Sequence, residues 1–444
     1  MRKWRSELSF VLWQHSPSRF WIFSLSDEPK YRIVLTTSTY PTHPRDGVPR
    51  FIKDLANALG RHADVTVLAP DAPGAPRDGC EDGIEIRRFS YFWPRNYQRL
   101  AISGNRGMRD NLRASTLAKL QVPLFLLAQA WKLRGELRSN GVHWINAHWL
   151  VPQGLVAAFV AGRRKETKIA LHVHAGDVYM LEKLMLGRKI ARYVVRRSDC
   201  IFADGSHVRD ALNRLVGWDT KAVLQPMGVH VDQFAPRIEM ASETQTQSTA
   251  RSHDEPFILF VGRLAEKKGT IYLVRALKIL REQFVDLSLK IVGSGPEESA
   301  LRAEVDQLDL RDNVQFLGPK DHPEIVSLLH CCEVAAVPSI IDSRGETEGM
   351  PTVVVESLAA GVPVVGSRVN GIPDLLRHNE NGWLCKEKDP KDLAAKLKLA
   401  LECDRNQQRI RAITTARSHD WAKVAENYLA VMKTCDRRSP SQRP

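Results

Sequence analysis

A chain of 444 residues with 43% hydrophobic content is long enough for two or three ordinary domains with sizeable cores, which excludes a disordered chain. The formal charge of +13 implies an anionic partner such as nucleic acid, acidic lipid or a phosphorylated substrate, or more plainly a soluble basic surface. No zinc-finger spacing, RNP aromatics or concentrated basic arm supports nucleic acid, and no run reaches the ~18 to 20 apolar residues of a membrane span.

Residues 1–30 begin basic, but their apolar runs FVLW and FWIF are broken by Gln14, His15, Pro17 and Arg19, too short for a signal sequence. Trp4, Trp13 and Trp21 among Arg and Lys suit an interfacial anchor; a disordered extension is the preferred reading. From Tyr31 short β-branched runs alternate with amphipathic stretches: RIVLTT (32–37), a helix over 47–60, DVTVLA (64–69), then IEIRRF (84–89), VHWINA (142–147), IALHVH (169–174), CIFADG (200–205) and AVLQPM (222–227). That alternation predicts βαβ units and a parallel sheet over 31–236. The stretch 237–256 is polar, rich in Ser, Thr and Gln, and reads as a linker. A second series over 257–418 runs through FILFVG (257–262), LSLKIVG (287–293), VQFLG (314–318), VAAVPS (334–339) and VPVVGS (362–367). Asp420 is placed to cap a final helix from Trp421 to about Lys433, and the tail from 435 reads as disordered.

In open parallel sheets ligands bind outside the carboxyl ends of strands, so the chemistry should follow the strands. After FILFVG come Arg263 and Lys268, two cations leading into a helix, which suit a diphosphate. The segment EGMPTVVVESLAAGVPVV (348–365) places Glu348 and Glu356 eight positions apart, with Gly349 allowing close backbone approach and Pro351 at the first helical position. Glu356 on an apolar stretch calls for a partner such as a hydroxyl pair; an ordinary helix with a solvated Glu356 is the competing reading. His174 at a strand exit can reach a sugar hydroxyl or leaving phosphate, and Asp177 can cap the helix that follows. The turn Ser294-Gly295-Pro296 invites a dinucleotide reading, but Glu298 occupies the third glycine position. No H-x-x-H, H-E-x-x-H or aspartate cluster suggests a metal site, and no nucleophile elbow or Walker loop is present. Within 178–197, Leu, Met, Ile and Val line one side and Lys183, Arg188, Lys189, Arg192, Arg196 and Arg197 mostly others. Such a basic amphipathic helix rests on anionic lipid or, as the preferred reading, packs on its own sheet with a solvated basic face.

Together these residues resemble the GT-B glycosyltransferases of family 4, the group 1 glycosyltransferases, over residues 31–433. The resemblance is carried by EGMPTVVVESLAAGVPVV, VGRLAEKKG (261–269), VGSGPE (292–297), FLG (316–318) and PMGVHVDQF (226–234). It implies two Rossmann-like parallel-sheet α/β domains facing a cleft, an acceptor domain first and a nucleotide-sugar domain second, with the helix 419–434 returning to the first. It implies a retaining enzyme with no obligatory metal or cofactor, taking a nucleotide diphosphate sugar to a glycan or lipid-linked acceptor, cytoplasmic or peripheral on the membrane's inner face. By resemblance Arg263 and Lys268 would hold the diphosphate and Glu356 the ribose hydroxyls. Glu348, Gly349, Met350 and Pro351 would meet the sugar and β-phosphate, Leu317 and Gly318 the base, and Gly47 donor and acceptor; His174 would lie near the reaction centre, with Asp177 a weaker transfer. Two departures stand out. Asp46-Gly47 replaces a Gly-Gly pair, and His230 follows Val229 where the family phrase ends in Gly-Val-Asp. An epimerase or phosphorylase of the same fold, or a non-catalytic sugar-nucleotide-binding partner, are the alternatives.

Overall fold

The computed structural model describes residues 31–42, 48, 50–72, 75–101, 108–139, 141–162, 166–235, 255–345, 347 and 349–436. The expectations for residues 1–30, Gly47, Glu348, most of the linker and the tail beyond 436 lie outside the described residues.

Eight strands build the first sheet: β1 (Arg32–Thr36), β2 (Asp64–Pro70), β3 (Asp78–Glu81), β4 (Ile84–Phe89), β5 (Trp144–His148), β6 (Lys168–Val173), β7 (Cys200–Ala203) and β8 (Val223–Leu224). Their spatial order is β3-β4-β2-β1-β5-β6-β7-β8, parallel throughout except that β3 runs against β4. The near-continuous apolar runs of β1 and β5 follow from burial on both faces, the usual state of a parallel strand covered by helices. Six further strands build the second sheet: β9 (Phe257–Val261), β10 (Ser288–Val292), β11 (Val314–Gly318), β12 (Val334–Val337), β13 (Val364–Ser367) and β14 (Trp383–Cys385). They lie in the order β11-β10-β9-β12-β13-β14, all parallel. In each sheet the order reverses at one place, between β1 and β5 and between β9 and β12. The loops leaving those strands part to opposite sides and open a crevice.

The structure departs from the sequence reading at four places. Strand β3, charged and fully exposed, has no apolar alternation to announce it; a two-residue turn at Asp82 and Gly83, both with positive φ, folds it back on β4 as a hairpin. The helix expected from 47 begins at Phe51. Pro351 precedes rather than opens its helix, with φ −72° and ψ 111°, and the helix runs Thr352–Ala359. The basic segment 178–197 is two helices, Ala175–Glu182 and Gly187–Val195, because the chain turns at 183–186 so tightly that a Cβ on Gly187 would lie 1.8 Å from the Leu181 carbonyl oxygen. The second of these buries Ala191, Val194 and Val195 and leaves Arg188, Lys189, Arg196 and Arg197 exposed, which is the packed alternative.

The last helix, Trp421–Asp436, returns to the first domain. Asp420 caps it, accepting from Ala422 N at 2.9 Å. Trp421, Val424, Tyr428 and Met432 are buried in one cluster with Ile33, Leu35, Ile52 and Leu59 of the first domain. Burying four such side chains is worth on the order of 6–12 kcal/mol, enough to hold the helix there.

Candidate active site

The second-domain half of the site begins where β9 ends. The chain passes Gly262 and Arg263 into a short 3-10 turn, Glu266–Lys268, and then Gly269 at φ +65°. Any side chain on Gly269 would strike the Pro338 carbonyl oxygen, 2.0 Å from the ideal Cβ, so the loops after β9 and β12 touch directly there. Ile340 N donates to Lys267 O at 2.9 Å, and Glu266 accepts from Ser343 N and Oγ, each at 2.8 Å. These bonds fix the turn, and the Lys268 side chain lies back along Gly262, its Nζ 3.5 Å from where a Cβ would stand. Arg263 is exposed on the same loop.

Glycines 293 and 295 serve packing rather than dinucleotide binding. Their ideal Cβ positions fall 2.0 Å from Gly262 O and 2.2 Å from Leu264 O, so only glycine lets the loop after β10 lie on the loop after β9. Leu264 N donates to Ser294 O at 3.0 Å, and Gly293 N to Gly318 O at 2.9 Å. The second of these bonds brings Gly318 beside the same loops, with half-buried Leu317 next to it, both at the end of edge strand β11.

From the other side of the crevice, after β12, comes the helix Thr352–Ala359, whose start carries no side-chain cap. Its first amides therefore lack an intrahelical acceptor and face whatever sits before them. Glu356 is half-buried one turn inside. Burial pushes its carboxyl above the usual range, against the Thr352 hydroxyl, which donates to it, and the Lys268 ammonium, which both lower it. Lys268 from the β9 loop and Glu356 from the β12 helix thus meet electrostatically at the switch point. Met350 packs on Gly371, leaving 2.8 Å between its Cε and an ideal Cβ there.

The first domain contributes a histidine cluster. His148 at the end of β5, His172 in β6 and His174 just after it stack, the His172 and His174 rings 4.7 Å apart and 7° from parallel. His174 Nε2 lies 3.3 Å from His148 Nδ1, and its Nδ1 lies 3.2 Å from Asp204 Oδ2, so both ring nitrogens are engaged. His172 Nδ1 bonds the Tyr428 hydroxyl of the returning helix. Burial and the repulsion of neighbouring imidazoles push His148 and His172 well below the ordinary histidine range, which keeps them neutral. Asp177 accepts from His174 N at 3.0 Å and from Leu150 N, the capping role expected of it. Burial, ahead of the opposing His174 and backbone amides, pushes its carboxyl up to about 6.

The two halves touch. An ideal Cβ on Gly349 would lie 3.3 Å from Asp204 Oδ2 and 3.8 Å from Ala175 Cβ, while Ser206 N donates to Asp374 Oδ2 at 2.7 Å across the domains. Arg263, Lys268, Leu317, Gly318, Gly349, Met350, Pro351 and Glu356 therefore gather at the carboxyl ends of one sheet, and His174 joins them from the other through Asp204. Asp204, His148, Thr352 and Tyr428 were not singled out in the sequence. The alternation of His172 and His174 along one strand face was the available signal for the stack, and Asp204 follows directly on the strand within the CIFADG run. His230 bridges to Asp54 at 3.2 Å, a structural contact. Among the described residues no group of three or more His, Cys, Asp or Glu is placed to hold a metal ion.

Two parallel α/β sheets with carboxyl ends facing each other and a returning terminal helix define the GT-B class. Solved structures carry the same fold: sucrose-phosphate synthase from Thermosynechococcus elongatus superposes with a TM-score of 0.68 at 20% identity, over 92% of this chain and 100% of that one. Anabaena HepE, in complex with UDP and glucose, gives 0.63 at 16% identity, over 91% and 100%. Family models of the glycosyl transferases group 1 and of the glycosyl transferase 4-like domain match residues 241–418 and 46–228. A candidate colanic acid biosynthesis glycosyltransferase of Escherichia coli K12, WcaL, is 31% identical over 54% of this chain and 57% of its own length, so the match spans little more than half of that relative. The chain belongs to the group 1 glycosyltransferases.

Proposed function

We propose that the protein is a retaining, metal-independent glycosyltransferase that moves a sugar from a nucleotide diphosphate sugar to a glycan or lipid-linked acceptor in cell-surface polysaccharide or glycolipid assembly. The observation that carries this reading is the convergence of the loops after β9 and β12, where Gly269 abuts the Pro338 carbonyl and Lys268 comes within electrostatic reach of Glu356, opposite the His174–Asp204 pair. Lys268 and Arg263 supply positive charge for a departing diphosphate, while Glu356 suits a ribose hydroxyl pair. In the front-face displacement that fits this geometry, the acceptor oxygen bonds to the anomeric carbon as the carbon–oxygen bond to the diphosphate breaks, and a departing phosphate oxygen takes the acceptor proton. HepE's complex with UDP and glucose supports a sugar-nucleotide donor, and WcaL's name supports polysaccharide assembly. The proposed location is the cytoplasm, with a peripheral seat on the inner membrane face; among the described residues no helix is long and apolar enough to cross a membrane.

The test is release of nucleoside diphosphate from a panel of UDP-, GDP- and ADP-sugars with and without acceptor extract. The reading predicts acceptor-dependent release lowered on the order of 100- to 1,000-fold in Lys268→Ala. Turnover of donor without acceptor would indicate an epimerase, tight donor binding without any product a non-catalytic partner, and undiminished turnover in Lys268→Ala would refute the site.

A further inference from the structure

The helix Thr116–Ser139 is apolar on both faces. Inward it packs Ala118, Phe125, Leu133 and Leu137 into the core beside Gln121, Gln129 and Glu136, each of these polar residues 8% exposed or less. The glutamines are used internally: Gln129 Nε2 donates to Thr36 Oγ1 at 2.8 Å, and Gln121 donates to Tyr97 O at 2.6 Å while accepting from Arg99 N at 2.9 Å. Facing solvent instead are Leu120 at 68% exposure, Leu124 at 43%, Leu127 at 67% and Trp131 at 79%. At 3.6 residues per turn these four fall within an arc of about 60°, opposite the buried face. The stripe continues onto neighbouring elements. The helix Leu155–Ala161, which packs beside it, exposes Phe159 at 75%, and that helix packs on Gly187–Val195, entered through a turn where Met185 is 99% exposed.

Charge selects the occupant. The only acidic side chain of the helix Thr116–Ser139, Glu136, is buried, whereas Lys119, Arg134 and Arg138 are exposed, as are Arg188 and Lys189 beyond the stripe. Two copies meeting through this face would set cation against cation, whereas an anionic bilayer takes the apolar stripe into its acyl boundary and the basic rim among its headgroups. Trp131 stands toward the end of the stripe, where amphipathic rings favour the interface.

We propose that the outward stripe of the helix Thr116–Ser139 is a bilayer-docking face that seats the first domain on anionic lipid. This rests on the peripheral location proposed above and names the surface that carries it. The test is co-sedimentation of the full chain with vesicles of phosphatidylcholine alone or mixed with phosphatidylglycerol. The wild type is expected to bind the mixed vesicles, more weakly as salt rises. The variant Leu120→Gln, Leu124→Gln, Leu127→Gln, Trp131→Gln is expected to bind on the order of a hundredfold more weakly, since exposed apolar area drives insertion. Its affinity for nucleoside diphosphate and its thermal unfolding should remain those of the wild type. The control Leu399→Gln, Ile410→Gln, which alters exposed apolar residues of the second domain, should bind vesicles normally. Equal vesicle binding by the wild type and the stripe variant overturns this inference while leaving the peripheral location standing on another segment; absence of wild-type binding overturns both. A dimer seen by light scattering that the stripe variant abolishes would assign the face to a second copy and also overturn it.

Discussion

Replacing Glu356 by Gln should weaken donor binding and stabilise the fold at once. The carboxyl is half-buried, and burial raises its pKa above the ordinary value despite Lys268 and Thr352. A carboxyl whose pKa rises on folding binds more protons in the folded chain than in the unfolded one. Its contribution to stability is therefore greatest below the ordinary carboxylate pKa and falls as pH rises through the raised one. Glutamine removes that penalty, at about 1.4 kcal/mol for each unit of upward shift, and its amide oxygen still accepts from the Thr352 hydroxyl. On the ligand side, a hydroxyl pair bound to a carboxylate is worth about 1.5–3 kcal/mol, so the dissociation constant for nucleoside diphosphate should rise about 10- to 150-fold. Urea unfolding at acidic and neutral pH, with calorimetric titration of nucleoside diphosphate, reads both effects. A variant less stable than wild type at neutral pH, with donor affinity unchanged, would refute the reasoning.

Three other perturbations probe the interface and the histidine stack. Gly349→Val places methyl groups against the Asp204 carboxylate, 3.3 Å from the ideal Cβ, and should lower turnover at least about tenfold by holding the domains apart, with thermal unfolding unchanged; full turnover would remove the contact from the mechanism. Asp177, pushed from 3.8 to about 6 by burial, should lose about 3 kcal/mol of its stability contribution as pH rises across that range, so the stability difference between wild type and Asp177→Asn should shrink by that amount; a constant difference would show that the carboxyl titrates normally. His148 and His172 are held neutral with depressed pKa values, so their stability contribution is present above pH 6.5 and lost as the unfolded chain takes up protons below it. Urea unfolding should show this loss between neutral pH and about pH 5, less steeply in His148→Gln, and identical pH slopes would count against burial as the cause.

The sheets were legible because parallel strands buried on both faces read as β-branched runs, and Ile33, Val65, Trp144 and Ile258 sit where those runs predict. The places of Arg263, Lys268 and Glu356 on the loop and helix that follow β9 and β12 were legible because those segments leave strand ends, where ligand chemistry is expected. Strand β3 was not, since an exposed edge strand made of Asp-Gly-Cys-Glu has no buried face to impose a pattern. The contact of Asp204 with Gly349 was also hidden, because it depends on how two domains meet across 145 positions of sequence rather than on local spacing (349 − 204). The stripe on Thr116–Ser139 was hidden for a related reason. Apolar residues fall on both faces of that helix, and only the packed structure shows which of them the core leaves outside.

The central claim is that the loops after β9 and β12 form one diphosphate-and-ribose site. Calorimetric titration of UDP, GDP and ADP into the wild type, Lys268→Ala, Arg263→Ala and Glu356→Gln tests it most directly. The account predicts that one nucleotide binds the wild type with a single site and that each substitution weakens it at least about tenfold, the two cation variants also losing the salt dependence of binding. Binding of that nucleotide with equal affinity in all four proteins would contradict it.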